Sequence, residues 1–125
     1  MAKVTGIGGA FLKAKDPKAL YAWYEQHLGV VREHGSFMFP KATVNATTVL
    51  AFFPEGADKF RPGQSAALNL RVDDLDGLLD AMAAAGVEVD PKRESYDDFG
   101  KFGWFTDPEG NRVELWQPTG AALED

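Results

Sequence analysis

The chain has 125 residues, 45% of them hydrophobic and 26% charged, which is typical of one globular domain and argues against a disordered segment. It contains no cysteine, so disulfides, thiolate metal sites and cysteine nucleophiles are excluded. Its net charge of −6, without a cluster of Lys and Arg, argues against nucleic acid and anionic membrane surfaces as partners.

The first half of the sequence predicts the element order β-α-β-β-β. The segment VTGIGGAFLKA, residues 4–14, is short and apolar and predicts a strand. Asp16 followed by Pro17 is typical of a helix N-cap and its first turn, and Gly29 predicts the end of that helix. Apolar or β-branched runs, broken by Gly and Pro, predict three further strands over 30–35, 36–42 and 43–53.

The second half predicts a similar order. The segment 66–74 predicts a strand, Asp74 is the N-cap of the helix that follows, and Gly86 ends this helix. The remaining apolar runs predict strands over 87–90, 101–106 and 111–118. The last two form a hairpin around the turn DPEG, residues 107–110, in which proline presets one backbone angle and glycine accepts a positive φ.

The two halves match at several places. FLKAKDPKAL aligns with NLRVDDLDGL, TVLAFFP aligns with RVELWQP, and a glycine ends each helix. This repeat predicts a single domain over residues 1–125, with module one at about 4–54, a linker at about 55–64 and module two at about 65–118. Neither βαβββ module can bury a curved sheet alone, so the pair predicts an α+β fold in which a cupped mixed β-sheet has its helices outside.

Three segments carry a resemblance to a known family: GIGGAFLKAKDPKALYAWYEQHLGV, NLRVDDLDGLLDAMAAAGVEV and GWFTDPEGNRVELWQP. They resemble the glyoxalase, bleomycin-resistance and extradiol-dioxygenase superfamily, also called the vicinal oxygen chelate proteins, and the resemblance covers nearly the whole chain. It implies paired βαβββ modules around a U-shaped cleft, commonly in a homodimer. In metal-using members of the family, divalent ions lie in that cleft on His and Glu side chains.

The resemblance also implies four metal-ligand positions, on the first and last strand of each module. Carried over to this sequence, these positions are Gly9, Ala51, Ala67 and Glu114. Gly and Ala have no donor side chain, whereas a catalytic zinc generally needs three protein ligands. His27 falls on the first helix and His34 in a turn, so neither lies on an expected cleft strand. We therefore expect no cofactor, with a divalent metal ion as the alternative.

The cleft lining follows from strand geometry and from the resemblance together. Side chains alternate across a strand, and the resemblance implies which face lines the cleft. The expected lining is aromatic and small with few polar groups, as in many small-molecule sites. The expected ligand-binding residues are Phe11, Phe53, Asn69, Arg71 and Trp116. Lys13 and Arg71 lie toward one rim, and Glu114 shares a strand face with Trp116.

Glu114 lies between Val113 and Leu115 in an apolar strand, so its charge needs compensation. Burial raises the pKa of a carboxyl group and would suit a catalytic base that removes a proton next to a carbonyl, whereas a nearby cation lowers that pKa. If Lys13 or Arg71 reaches Glu114, the pair is structural or anchors a polar ligand group. We favour a binding role for Glu114 over a catalytic one.

Three functions are compatible with the sequence. The first is a glyoxalase/bleomycin resistance-like protein that binds a small, largely apolar or aromatic molecule in a metal-free cleft. The second is a lyase or isomerase that acts on a carbonyl substrate with Glu114 as base or residual metal ligand, and the third is a structural or regulatory dimer. We expect a cytoplasmic location, because the first twenty residues lack a secretory signal and no apolar run reaches membrane-spanning length.

Overall fold

The structure, a computed structural model, describes residues 9–39 and 48–119. Its two helices are α1, Pro17–Leu28, and α2, Leu75–Ala84. Its strands are β1 Arg32–Glu33, β2 Ser36–Phe37, β3 Asn69–Arg71, β4 Glu88–Val89, β5 Glu94–Tyr96, β6 Gly100–Thr106 and β7 Arg112–Pro118. Two helices with a mixed sheet confirm the predicted α+β class.

The main sheet has five strands, all from the second half of the chain. Its path is β3-β7-β6-β4, and β5 also pairs with β6. The β3–β7 pair is parallel, and the β6–β7 hairpin is antiparallel. In this register Glu114 on β7 lies between Asn69 on β3 and Trp104 on β6. The order of strands and helix in this half agrees with the prediction, apart from the additional short strand β5.

Both helices begin and end where local sequence signals predict. The Asp16 carboxylate accepts a hydrogen bond from the Ala19 amide at 3.1 Å, and the Asp74 carboxylate accepts one from the Gly77 amide at 3.1 Å. Such N-caps satisfy amide groups that have no partner inside the helix. After α1, Gly29 adopts the left-handed conformation with φ 68°, which a residue with a Cβ adopts only at a cost.

The two helices cover one face of the sheet and leave the other face for a site. The buried core between helices and sheet contains Tyr24, Leu75, Leu79, Met82, Phe105, Val113 and Leu115. Gly103 permits this packing, because a Cβ at that position would overlap the Leu79 side chain. Strand alternation places the intervening residues on the opposite face, which we call the site face. The site face carries Asn69, Arg71, Phe102, Trp104, Arg112, Glu114 and Trp116.

The first half departs from its predicted strands. The predicted strands 30–35 and 36–42 appear as the short hairpin β1–β2. In the predicted strands 4–14 and 43–53, the described parts are irregular, while residues 1–8 and 40–47 lie outside the described residues. An extended segment becomes a strand only when its backbone groups pair with a neighbour. Among the described residues, the sheet offers these segments no such pairing.

The β6–β7 turn is organised by the buried carboxylate of Asp107, which is only 4% exposed. Its Oδ1 accepts hydrogen bonds from the amides of Glu109 and Asn111, both at 2.9 Å. Its Oδ2 accepts from Asn111 Nδ2 and from the Tyr24 hydroxyl, both at 2.8 Å. The turn predicted from DPEG is therefore also the point at which helix α1 is attached to the hairpin.

Glu109 makes a second link between the turn and α1. Its carboxylate accepts hydrogen bonds from the backbone amides of Lys15 at 3.0 Å and Asp16 at 3.2 Å, just before the helix begins. An acidic group is favourable near the positive end of a helix. In the described parts of the chain, neither helix is long and apolar enough to cross a membrane.

Tyr24→Phe tests the attachment of α1 to the turn. This substitution removes one of four donors to a buried carboxylate, so we expect the free energy of unfolding to fall by about 1–3 kcal/mol. Tyr21→Phe is the matched control, because Tyr21 lies on the same helix and is only partly buried. Urea denaturation at neutral pH measures both variants. Equal losses of stability in the two variants would show that the Tyr24–Asp107 bond contributes nothing specific.

The Tyr24–Asp107 hydrogen bond should also make the free energy of unfolding depend on pH, and the Tyr24→Phe variant should lack this dependence. Burial, and then the hydrogen bond to Asp107, raise the pKa of Tyr24 in the folded chain. The folded state therefore favours the neutral phenol, and this stability is fully present below the unfolded pKa of about 10 and lost as the pH rises above it. Urea denaturation between pH 8 and pH 11 should show a steeper loss for the wild type, and parallel curves would contradict this.

Candidate functional site

Glu114 lies in the middle of β7, and two side chains compensate its charge. Asn69 Nδ2 donates a hydrogen bond to Glu114 Oε1 at 2.6 Å. Lys59 Nζ lies 3.2 Å from Glu114 Oε2 and forms an ion pair with it. The Glu114 side chain is only 16% exposed, so both contacts are partly shielded from water. Glu114 is thus a paired carboxylate on the site face.

Lys59 brings the predicted linker, residues 55–64, onto the site face. Its ammonium lies 5.5 Å from the ring centroid of Phe53 and 5.5 Å from that of Trp104. Phe53 in turn packs edge-on against Phe60 at 6.1 Å. A cation between two aromatic faces and a carboxylate is held by cation–π attraction as well as by the ion pair. This segment therefore covers part of the sheet with rings and one positive charge.

Trp104 is the centre of the aromatic surface beside Glu114. Its side chain is 3% exposed, and three cations lie over its ring. The Lys59, Arg112 and Lys92 cations are 5.5, 5.2 and 5.9 Å from the ring centroid, respectively. The structure buries Trp104, and it does so on the site face.

Two of these cations are matched by acids at the edge of the sheet. Arg112 pairs with Asp90 at 3.0 Å, and Lys92 pairs with Glu94 at 3.0 Å. The Lys92 backbone amide, and then Arg112, lower the pKa of Asp90 below its ordinary value. A hydrogen bond from Lys92 lowers the pKa of Glu94 in the same way. At neutral pH these groups are therefore charged and paired.

A cavity of about 570 Å³ lies between residues 58–62 and strands β5, β6 and β7. Its sheet side includes Trp104, Arg112, Glu94 and Tyr96, and its linker side includes Lys59 and Phe60. This volume lies within the range of about 300–1,000 Å³ that small-molecule sites occupy. The combination of aromatic rings with paired charges suits a planar ligand that has a polar end.

Asn69, Arg71 and Trp116 share the site face with Glu114, as strand alternation predicts. In the parallel register Asn69 lies opposite Glu114, and Arg71 lies opposite Trp116. The Trp116 ring stacks on Phe102 at 5.9 Å with an interplanar angle of 4°, and its Nε1 donates to a backbone carbonyl at 2.8 Å. Trp116 is 6% exposed, and this hydrogen bond already gives its indole N–H a partner. The roles of these three residues in ligand binding stay predictions.

The two expected phenylalanines differ in position. Phe53 reaches the site through its contact with Lys59, although it lies in no strand. Phe11 is 99% exposed and therefore forms no wall of a site within the described residues. Both residues belong to first-half segments that were predicted as strands. Their part in ligand binding also stays a prediction.

The residues around Glu114 do not fit a metal ion. The other three carried-over positions, Gly9, Ala51 and Ala67, have no donor side chain. Both oxygens of Glu114 are already bonded, and an ammonium group at 3.2 Å repels a cation. Within residues 9–39 and 48–119, no three His, Asp or Glu side chains are close enough together to hold an ion. The His27 ring packs on Trp23 at 4.8 Å, and His34 is exposed in the β1–β2 turn.

Sequence reasoning missed three residues of this site. Arg112 lies two positions before Glu114, so strand alternation alone would have placed it on the site face. Counting back from the DPEG turn would have placed Trp104 opposite Glu114. The sequence suggested Lys13 or Arg71 as cations that could reach Glu114, whereas the structure pairs Glu114 with Lys59. No pattern indicated Lys59, because side-chain direction in a linker has no period.

Comparisons with known proteins agree with this architecture. The model of the Glyoxalase/Bleomycin resistance protein/Dioxygenase superfamily matches residues 6–115. A search of curated protein sequences found no match. Among solved structures, an integron cassette protein from the mobile metagenome of V. cholerae is 22% identical, with 95% of this chain and 99% of that chain covered and a TM-score of 0.60.

Two further solved structures have named functions. TnmS3, an antibiotic-binding protein from Streptomyces sp. CB03234, is 23% identical, with 91% of this chain and 100% of that chain covered and a TM-score of 0.51. A lactoylglutathione lyase from Agrobacterium tumefaciens is 17% identical, with 92% and 95% covered and a TM-score of 0.58. At these identities the structures show a shared fold. Because the family model spans most of the chain, the protein belongs to the Glyoxalase/Bleomycin resistance protein/Dioxygenase superfamily.

Proposed function

We propose that the protein binds a small, largely apolar or aromatic molecule on the site face without a metal ion. The observation that carries this proposal is the pairing of Glu114 with Lys59 and Asn69 beside the Trp104 ring. A carboxylate paired in this way is a poor metal ligand, whereas the aromatic surface around it suits an apolar molecule. The fold shared with an antibiotic-binding protein supports a binding role.

A lyase or isomerase acting on a carbonyl substrate is the second candidate, supported by the fold shared with a lactoylglutathione lyase. In that reaction Glu114 would accept a proton from the substrate, and Asn69 Nδ2, 2.6 Å from Glu114 Oε1, is the nearby amide donor. Glu114 would first have to leave its ion pair with Lys59, which is why binding is favoured. Glu114→Gln keeps the shape and removes the charge, so a reaction that continues at full rate in this variant excludes the base role.

Metal content tests the metal-free site directly. Protein purified without chelator should contain far less than one equivalent of nickel, zinc, manganese or iron per chain, because Glu114 is the only carried-over position with a donor. Elemental analysis measures this, and added ions should leave the melting temperature unchanged. Glu114→Gln serves as the control. One equivalent of metal in the wild type that is absent from Glu114→Gln would overturn the metal-free site.

Ligand binding should survive removal of metal ions. Chelator-treated protein titrated with planar aromatic compounds, in charged and neutral forms, should bind at least one of them with micromolar affinity in calorimetry. Trp104→Ala removes the aromatic centre of the site and should weaken that binding by tenfold or more, since full burial of a large apolar side chain is worth about 1.5–3 kcal/mol. Trp23→Ala, on helix α1, should leave the affinity unchanged if the variant is folded. Absence of binding by every compound would refute the proposed function.

We also propose the homodimer that the family resemblance implies. Several large apolar side chains of the first half are exposed, including Phe11 at 99% and Phe52 at 91%. Exposed apolar groups on this scale mark surfaces that another protein covers. Light scattering after size exclusion should therefore give twice the chain mass of 13.6 kDa. Phe52→Asp should shift the protein toward monomer and Phe99→Asp in the second half should not, and a monomeric wild type would contradict the proposal.

A further inference from the structure

Two residues that line the cavity each have a buried hydrogen-bond donor with no acceptor among the described residues. The donors are Trp104 Nε1 and Arg112 Nε, and both atoms are buried. Both residues line the cavity of about 570 Å³ described above. A buried donor without a partner costs about 1–3 kcal/mol, so such a group marks a place where an acceptor belongs. Both groups are donors, which fixes the chemistry of the missing partner as an acceptor.

The charges of the cavity lining do not by themselves select a ligand. Lys59, Lys92 and Arg112 each pair with one carboxylate. Within the described chain, neither Arg61 nor Asp58 forms an ion pair. The lining therefore has one further positive charge and one further negative charge, and these also cancel. The two unpaired N–H groups are therefore the feature that distinguishes one polar ligand group from another. An amine or a second donor would leave them unsatisfied.

We infer that the molecule bound here is an aromatic carboxylate, whose oxygens accept hydrogen bonds from Trp104 Nε1 and Arg112 Nε. This inference rests on the proposed function and names the chemical class of its ligand. Arg112 Nε belongs to a guanidinium group, and a charge-assisted hydrogen bond is roughly twice as strong as a neutral one, which favours a carboxylate over a ketone or an ester. The Trp104, Phe60 and Tyr96 rings supply apolar surface for the aromatic part.

Both donors are buried, so a ligand can reach them only if a side chain around the Trp104 ring moves. The Lys92 ammonium lies 5.9 Å from the Trp104 ring, and its side chain is 54% exposed. Its ion pair with Glu94 is correspondingly weak, because water screens exposed pairs. Lys92 is therefore the side chain above this ring that can swing outward at least cost.

Calorimetry with 2-naphthoate and methyl 2-naphthoate tests this inference. The two probes share an aromatic ring system, and the ester lacks the negative charge. Wild-type protein should bind 2-naphthoate at least tenfold more tightly than the ester, which corresponds to one charge-assisted hydrogen bond. Arg112→Lys keeps a cation for Asp90 and removes Nε, so it should lower the affinity for 2-naphthoate about tenfold and lower the affinity for the ester by less.

Arg93→Lys is the matched control, because Arg93 pairs with Asp76 and Asp80 on helix α2 and does not line the cavity. It should leave both affinities unchanged. Trp104→Phe keeps an aromatic ring and removes Nε1, so it is a second test if Arg112→Lys does not fold. The preference for 2-naphthoate over its ester should be smaller in this variant too. Equal binding of the two probes by the wild type would overturn the inference and leave the proposed function standing. Failure of both probes and of all other aromatic compounds would refute both.

Discussion

The buried carboxylate of Asp107 is the interaction on which the arrangement of this chain depends. It accepts four hydrogen bonds, three from the β6–β7 turn and one from the Tyr24 hydroxyl on α1. A buried charge is tolerated only when hydrogen bonds replace its lost hydration. By fixing the turn, Asp107 fixes the hairpin register, and that register places Trp104 directly opposite Glu114. By holding Tyr24, it also fixes the helix that covers the other face.

The division of the sheet into two faces follows from this register. A shift of one residue would exchange the faces and expose Val113 and Leu115 to the site while burying Glu114 among the helices. The close approach of Leu79 at Gly103 opposes such a shift, since a side chain at this position would overlap the helix. The core therefore determines which side chains lie on the site face. The helix face gains stability from apolar burial, and the site face is left for polar groups and indole rings.

The chemistry of the site face differs from that of a chelating site. Where the family resemblance implies four ligands to a cation, this chain has one carboxylate, and a lysine from the linker neutralises it. The lysine also connects Glu114 to the aromatic surface through Trp104 and Phe53. The result is a wall rich in rings and N–H donors. Under the proposed function, such a wall would select a ligand by its acceptors and its flat apolar surface and not by coordination to an ion.

Local signals in the sequence determined both helices, their Asp16 and Asp74 caps and the DPEG turn, because each depends on residues a few positions apart. Strand alternation determined that Asn69 and Glu114 share a face. The family was also recognisable from the sequence of segments 6–30, 69–89 and 103–118. Only the tertiary structure decided that Lys59 is the partner of Glu114 and that three cations surround Trp104. It also decided that the described first-half segments 9–13 and 48–53 are irregular. These features join residues far apart in the chain, or depend on whether a strand finds a neighbour, and no local period encodes either.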